Sequence, residues 1–282
     1  MELVLAKKRQ PSKKHWKKAA LLTVLAFLLA VVIYTFLILK HDPTLVDMAA
    51  KMEPMSWEHP LGTDHLGRDV LTRLLLGGQL TVGYSFLALV LAVVIGVPFG
   101  VFAGYKGGLI DRTFMRIGDT FLAFPDTIVA IVLSGLLGPG IGNLLLAIVA
   151  VKWVGYARLV RSTVINECQK DYITIAKING LGSGGIMRKH LFPHIIGNVL
   201  VLASLDLGKI ILLISSLSYI GLGAQPPVPE WGAMLNDARP YFRANPSLLV
   251  YPGLAIVMVV FISNIIGDSL RDRFDVKKEI QP

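Results

Sequence analysis

The residues whose spacing first suggests chemistry are three glycines in the stretch INGLGSGGIMRKH, residues 178–190. Gly180, Gly182 and Gly185 form the pattern G-x-G-x-x-G, which binds a pyrophosphate where it joins a strand to a helix. That chemistry requires a βαβ unit and an acidic residue about 20 positions further on. Here a helix-like segment precedes the glycines, and the acidic residue near that distance, Asp206, lies inside an apolar stretch. The surroundings therefore argue against a dinucleotide site.

No other phosphate-binding or catalytic motif occurs in the chain. The sequence contains no G-x-x-x-x-G-K-[ST] phosphate loop, no H-E-x-x-H and no G-x-S-x-G. Its histidines do not recur beside acidic residues at a metal-ligand spacing, so we predict no metal site. The histidines are His15, His41, His59, His65, His190 and His194. We therefore predict that the chain is not an enzyme and has no cofactor of its own.

Two charged residues stand in the middle of an apolar segment, in the stretch SLDLGKIILL. Asp206 and Lys209 are three positions apart, so both lie on one face of a helix and can form an ion pair. Ionisable residues inside a membrane are costly and are usually paired or functional. Two interpretations stay open: a charge pair that helps helices pack, or a polar lining of a translocation path. For Lys152, in another apolar segment, we expect the side chain to reach towards the membrane interface.

The apolar residues that surround these groups are arranged in long blocks. Hydrophobic residues make up 54% of the 282 positions and charged residues only 17%, against about 25% charged residues in soluble domains. A block of about 20 apolar residues spans a bilayer. Six blocks meet this criterion: 19–39, 81–102, 117–137, 141–157, 195–214 and 249–266. We predict an all-α, polytopic membrane protein with about six transmembrane helices.

The distribution of lysine and arginine predicts the orientation of the chain. With the N-terminus inside, the predicted inner segments hold 20 of the 28 lysines and arginines, and the outer segments hold six. The net charge of +9 thus reflects the positive-inside rule rather than a nucleic-acid surface. Both termini are predicted to be cytoplasmic. The regions are a basic cytoplasmic tail (1–18), a first anchor (19–39), an extracytoplasmic segment (40–76), a transmembrane domain (77–267) and a cytoplasmic tail (268–282).

Three connecting segments carry distinct signals. Residues 69–76 are predicted to form a short amphipathic helix along the membrane surface, after turns marked by proline and glycine. The stretch GPGIGN (138–143) predicts a tight hairpin, and the polar segment 224–247 predicts a cap or re-entrant element at the outer mouth. The inner segment 161–193 is much longer than most loops. It predicts one or two short helices that end at Gly180 in a left-handed turn, and a structured loop of this kind docks onto a partner.

At this loop the sequence resembles the inner-membrane permeases of binding-protein-dependent ABC importers, in particular the second permease of the dipeptide, oligopeptide and nickel class. The coupling loop of that family has Glu-Ala-Ala, then a glycine, then Leu-Pro, at a spacing that this chain keeps. The matching positions are Thr174, Ile175 and Ala176 for Glu-Ala-Ala, Gly180 for the glycine, and Phe192 and Pro193 for Leu-Pro. Thr174 and Ile175 depart from the family residues. Gly182 lies in the turn between the two halves of the motif.

Other segments extend the resemblance over most of the chain. HPLGTDHLGRDVLTRL (59–74) is similar to an outer motif of the same subgroup. The remaining similar segments are GYKGGLIDRTFMRIGDTFLAFP (104–125), WVGYARLVRS (153–162), SYIGLGAQPPVPEWGAML (218–235) and NIIGDSLRDRFD (264–275). The first 55 or so residues carry no such similarity.

The resemblance implies a type I ABC importer permease fold and a defined set of partners. These are a second permease, two ATPases that bind ATP and Mg, an extracytoplasmic solute-binding protein, and membrane lipid. The 161–193 loop would then be the coupling loop, seated in a cleft of an ATPase. The implied location is a bacterial or archaeal plasma membrane.

The cargo is predicted by similarity to be nickel or a metal chelate. The aspartate three positions before Lys209, together with WGAMLNDAR (231–239), is similar to nickel and metal-chelate permeases. Import of dipeptides or oligopeptides by the same mechanism stays open as an alternative. A carrier or channel that works without ATP is a third, although we find no internal repeat of the kind that such carriers often show.

Overall fold

The protein is a bundle of helices. The computed structural model describes residues 42–275, so the predicted tail and first anchor, residues 1–39, lie outside the described part, as do residues 276–282. The α-helices are α1 Val70–Lys106, α2 Gly108–Leu122, α3 Asp126–Leu137, α4 Ile141–Cys168, α5 Asp171–Ile178, α6 Ser183–Ile186, α7 Phe192–Tyr219, α8 Trp231–Ala238 and α9 Ser247–Asp275. A π-helical turn, Met187–Leu191, joins α6 to α7, so that Ser183–Tyr219 runs as one long helix.

Several of these helices are long and apolar enough to cross a membrane. Four single helices in the described part meet this criterion, and the pair α2 and α3 makes a fifth if it counts as one broken span. For residues 117–137 we predict a span interrupted near Pro125, and the chain bends there by 87° between α2 and α3. The reason is Pro125: the residue before a proline avoids the helical region, so α2 ends at Leu122 and α3 starts afresh at Asp126.

Two further boundaries differ from those predicted. Residues 69–76 do not form a separate surface helix, because Val70 begins the 37-residue helix α1, with Asp69 as its N-cap accepting from the Thr72 amide at 2.7 Å. Within the 161–193 loop, α4 continues as far as Cys168. The connection to α7 is therefore shorter than predicted, but it contains the two short helices expected on either side of Gly180.

The helices α1 and α4 pack along a row of small residues. Ala88, Ala92, Gly96, Gly100 and Gly104 recur at every fourth position of α1, and a methyl group on any of the three glycines would lie 2.5–2.9 Å from an α4 backbone oxygen. Small residues at this spacing let two helix backbones approach closely in a membrane, where packing rather than the hydrophobic effect drives association. This row fixes α4, which carries the base of the 161–193 loop.

The opposite end of the bundle is closed by residues 42–69 and by α8. Glu230 is fully buried, caps α8 by accepting from the Ala233 amide at 3.0 Å, and accepts from the Thr81 hydroxyl at 2.9 Å. Trp231 lies against Gly77 of α1 and donates from Nε1 to the Leu74 carbonyl at 2.8 Å. Within the 224–247 segment, α8 is therefore fixed against α1.

Candidate functional site

The glycine turn of the 161–193 loop has the geometry of a helix C-cap. Gly180 follows the last residues of α5 with φ of +81°, a left-handed conformation that favours glycine. Its amide donates to the Lys177 carbonyl at 3.0 Å, and the Leu181 amide donates to the Ala176 carbonyl at 3.0 Å. These two bonds form a Schellman motif, which satisfies the last carbonyls of α5 and reverses the chain. The glycines therefore shape a turn.

Glu167 ties this loop to two neighbouring helices. It lies near the end of α4, is 8% exposed, and accepts hydrogen bonds from Lys170 Nζ at 2.7 Å and from the Tyr172 hydroxyl of α5. His194 Nε2, on α7, lies 3.8 Å from its second oxygen. Burial and the bond to Glu167 raise the pKa of Tyr172 to about 12, so the hydroxyl stays protonated and donating at neutral pH.

One face of α5 exposes apolar side chains in the part of the chain that the structure describes. Ile173 is fully buried and anchors the helix, whereas Ile175 is 57% exposed and Ile178 is 79% exposed. Thr174 is also exposed, and Ala176 is half-buried. A short helix held rigidly at its base, with exposed isoleucines on its free face, is suited to enter an apolar cleft of a partner.

The remaining predicted residues of the motif lie on the next helices. Gly182 has an extended backbone with φ of −66° and precedes α6. Phe192 begins α7 and is 53% exposed, and Pro193 follows directly after the π-helical turn that joins α6 to α7. The structure thus splits the motif: its first three residues lie on α5 and its last two on α7, on either side of the glycine turn.

A polar cluster lies within the apolar part of the bundle. Asp206 Oδ1 accepts from Lys209 Nζ at 3.3 Å, and Oδ2 accepts from the Tyr156 hydroxyl of α4 at 3.2 Å. The Asp206 side chain is 11% exposed, while that of Lys209 is 66% exposed. The ion pair predicted from the three-residue spacing is therefore present. Tyr156 is a third member that the sequence did not reveal, because its position depends on how α4 packs against α7.

A row of ion pairs, also missed from the sequence, joins α2 and α3 to α4. The pairs are Asp111 with Arg161, Asp119 with Arg158, and Asp126 with Lys152. Lys152 Nζ lies 2.8 Å from Asp126 Oδ2, so this lysine is paired across helices rather than simply extended towards the interface. The sequence did contain a signal for these pairs, since three aspartates recur at a spacing of seven or eight residues within 111–126, which would place them on one side of a continuous helix.

The opposite end of the bundle contains a buried ionic cluster. Arg68 donates from Nε to Asp64 Oδ2 at 2.6 Å and places Nη2 3.5 Å from Asp237 of α8. Arg73, at the start of α1, lies 3.6 Å from Asp64 and donates to the Pro43 carbonyl at 2.9 Å. The cluster fastens residues 42–69 and α8 to α1.

The histidines of this end have structural partners. His59 Nδ1 lies 3.0 Å from Asp69 Oδ2, and the His65 ring stacks on Tyr241 at 4.8 Å between centroids. Burial lowers the pKa of His65 below its ordinary value. Within residues 42–275, no three His, Cys, Asp or Glu side chains are grouped closely enough to hold a metal ion.

Comparison with known proteins places these features in a family. The family model "Binding-protein-dependent transport system inner membrane component" matches residues 96–279. The nickel transport system permease protein NikC of Escherichia coli K12 is 36% identical over 93% of this chain and 94% of its own length. The dipeptide transport system permease protein DppC of Alkalihalophilus pseudofirmus is 37% identical over 95% and 88%. The glutathione transport system permease protein GsiD of Pectobacterium atrosepticum is 35% identical over 95% and 92%.

The fold is shared with a solved transporter. A chain of the MetNI methionine ABC transporter, in an inward-facing conformation, superposes with a TM-score of 0.55 over 72% of this chain and 97% of its own length, at 17% identity. Permeases of this family carry no ATPase and work with a partner permease, ATPases and a solute-binding protein. The chain therefore belongs to the family of binding-protein-dependent inner-membrane components and is a multi-pass ABC importer permease of the class that includes NikC, DppC and GsiD.

Proposed function

We propose that this chain and a second permease form the translocation path for nickel or a metal-chelate complex, driven by two ATPases that bind ATP and Mg. Coupling to the ATPases is supported by the exposed face of α5. Ile175 and Ile178 are exposed on this helix, and Glu167 fixes the base of the helix to α4 and α7. An ATPase cleft that closes on this face would move α5 and its neighbours together.

The proposed coupling surface is the 161–193 loop, with Thr174, Ile175, Ala176, Gly180, Gly182, Phe192 and Pro193. In this proposal Thr174 takes the place of the family glutamate. A loop without that glutamate can still be held in place, because the Glu167 carboxylate accepts from Lys170 and Tyr172. In the proposed orientation, the loop and both termini face the cytoplasm of a bacterial or archaeal cell, and the chain lies in the plasma membrane.

The proposed path includes Asp206 and Lys209. Support for a metal or metal-chelate cargo is the similarity to a nickel transport permease over 93% of this chain. Dipeptide import is the second candidate, favoured by a dipeptide transport permease of comparable identity. An ATP-independent carrier has no such support, since the family to which the chain belongs is binding-protein-dependent.

Reconstitution of the complete transporter tests the proposal. The two permeases, both ATPases and the cognate solute-binding protein are placed in proteoliposomes, and ATP-dependent uptake of nickel chloride, nickel–histidine and dialanine is measured in parallel. We expect uptake of a nickel species above that of dialanine. Uptake of dialanine alone would replace the nickel assignment by the peptide one, and uptake without ATP or without the binding protein would contradict coupling.

A further inference from the structure

Lys209 is a charged residue within the apolar helix α7, ten residues before the end of that helix at Tyr219. A charge in hydrocarbon is costly, and ionisable residues inside a membrane are usually paired or functional. Yet the Lys209 side chain is 66% exposed in the part of the chain that the structure describes. We therefore expect a polar path or a polar partner to cover it in the assembled transporter.

Within the chain, Lys209 is only partly satisfied. Its ammonium has three donor hydrogens, and the bond to Asp206 at 3.3 Å uses one of them. Asp206 is held in place from the other side by the Tyr156 hydroxyl at 3.2 Å. The aspartate therefore positions the lysine, whose side chain remains 66% exposed.

Two further exposed polar residues lie on the helices near Lys209. Asn264 of α9 lies close to Gly208, the residue before the lysine, since a methyl group placed on Gly208 would be 3.2 Å from its Oδ1. Ser216, two turns further along α7, is exposed on the same side as Lys209. Lys209 is the charged residue of this surface, and its ammonium suits an anionic group.

We propose that Lys209 binds a carboxylate of the cargo within the membrane. The cargo is then a carboxylate-bearing solute, either a peptide with its free C-terminus or a metal ion held by a carboxylate-bearing chelator, and not a bare divalent cation, for which an ammonium offers no acceptor atom. This inference rests on the proposed function, since it requires that Lys209 face the path.

A transient cargo fits the site better than a permanent carboxylate of the second permease. Asp206 already neutralises Lys209 within the chain, so a second fixed carboxylate would leave an excess buried negative charge. A moving carboxylate meets only a single donor group, already shared with Asp206. Binding of this limited strength is what a conducting path needs, because the solute must leave again.

The test uses the complete reconstituted transporter with Lys209→Met, Lys209→Arg and the double variant Asp206→Asn/Lys209→Met. Probes are dialanine, nickel–histidine and nickel chloride, each at saturating solute-binding protein. We expect Lys209→Met to lower uptake of the carboxylate-bearing probes about tenfold, corresponding to one lost charge-assisted contact, and Lys209→Arg to retain most of it.

The double variant separates cargo binding from packing. If Lys209 only neutralises Asp206, removing both charges restores uptake, and the inference is overturned. If Lys209 binds the cargo, uptake stays low in the double variant although thermal stability returns to that of the wild type. Loss of the second permease on purification of Lys209→Met would also overturn it, because the partner would then be that subunit.

Two outcomes distinguish this inference from the proposed function. Wild-type uptake of nickel chloride in preference to both carboxylate-bearing probes supports nickel import but overturns the carboxylate site. Uptake of dialanine alone, lost in Lys209→Met, contradicts the nickel assignment and supports the site. As a measure independent of cargo, Lys209→Cys in a Cys168→Ser background is expected to react with a membrane-impermeant anionic thiosulfonate, and complete protection in the resting transporter would contradict a path-facing position.

Discussion

At the scale of single residues, the carboxylate that organises the 161–193 loop is Glu167. It is buried at the end of α4 and accepts from Lys170 and Tyr172. Replacing it by alanine removes these hydrogen bonds, each of which contributes about 0.5–1.5 kcal/mol. We expect Glu167→Ala to raise amide hydrogen exchange in residues 171–178 by about tenfold. Mass spectrometry of the exchanged protein measures this.

The matched control for Glu167→Ala is Lys170→Met. It removes a partner whose side chain is 49% exposed, and exposed ion pairs contribute at most about 1 kcal/mol. Exchange in α5 should then change by less than in Glu167→Ala. Equal exchange in the two variants would show that Glu167 does not fix the loop.

His65 predicts a dependence of stability on pH. Its imidazole lies near Asp64, Arg68, Asp237 and Arg73, and burial lowers its pKa below the ordinary 6.5. The unfolded chain therefore takes up the proton first, so the contribution of this group to stability is complete above pH 6.5 and is lost as pH falls below it.

The variant His65→Phe isolates this effect, since it keeps a ring to stack on Tyr241 and removes the titrating group. Thermal unfolding midpoints of both proteins are measured from about pH 5 to about pH 8, the range in which histidine changes charge. We expect the wild type to lose more stability than the variant on acidification. Parallel curves would contradict the assignment.

At the scale of the helices, the contact between α1 and α4 depends on its smallest residues. A methyl group on Gly100 would lie 2.5 Å from the Ala157 carbonyl oxygen and 2.8 Å from Val160. Gly100→Ala should destabilise the bundle by about 1–3 kcal/mol through overpacking. Gly83→Ala, on the same helix, is the control, since no atom lies within 4 Å of the added methyl group. Thermal unfolding in detergent should show loss of stability only for Gly100→Ala; equal midpoints would argue against this close contact.

The helices also show what the sequence can and cannot predict. Apolar length predicts the described spans, and a glycine after a short helix predicts the turn at Gly180, because both signals are local. Pro125 predicts an interruption between α2 and α3, but the 87° angle is not a local property, since it depends on how α3 packs against α4. Tyr156 and Glu167 were missed for the same reason: each gains its role only when α4 meets α7.

At the scale of the whole molecule, the glycine turn and the polar cluster are connected by one helix. The helix Ser183–Tyr219 begins beside the glycine turn and continues through the π-helical turn Met187–Leu191 to Asp206 and Lys209. At about 1.5 Å per residue, about 35 Å separates Ser183 from Asp206. If the 161–193 loop docks onto an ATPase as proposed, this helix is the route by which a displacement of α5 and α6 would reach the polar cluster.

This route predicts uncoupling when the glycine turn is distorted. Gly180→Trp forces a side chain into a left-handed backbone with φ of +81°, which strains the turn between α5 and α6 although no neighbouring atom lies within 4 Å of the new Cβ. Gly107→Trp, between α1 and α2, is the matched control, because its backbone is also left-handed (φ of +64°) and open among the described residues, while it lies outside the 161–193 loop. In the reconstituted transporter we expect Gly180→Trp to assemble and to hydrolyse ATP, with uptake per ATP lowered about tenfold through misplaced docking, and Gly107→Trp to change it little. Unchanged uptake per ATP in Gly180→Trp would exclude this turn from the coupling of ATP hydrolysis to transport.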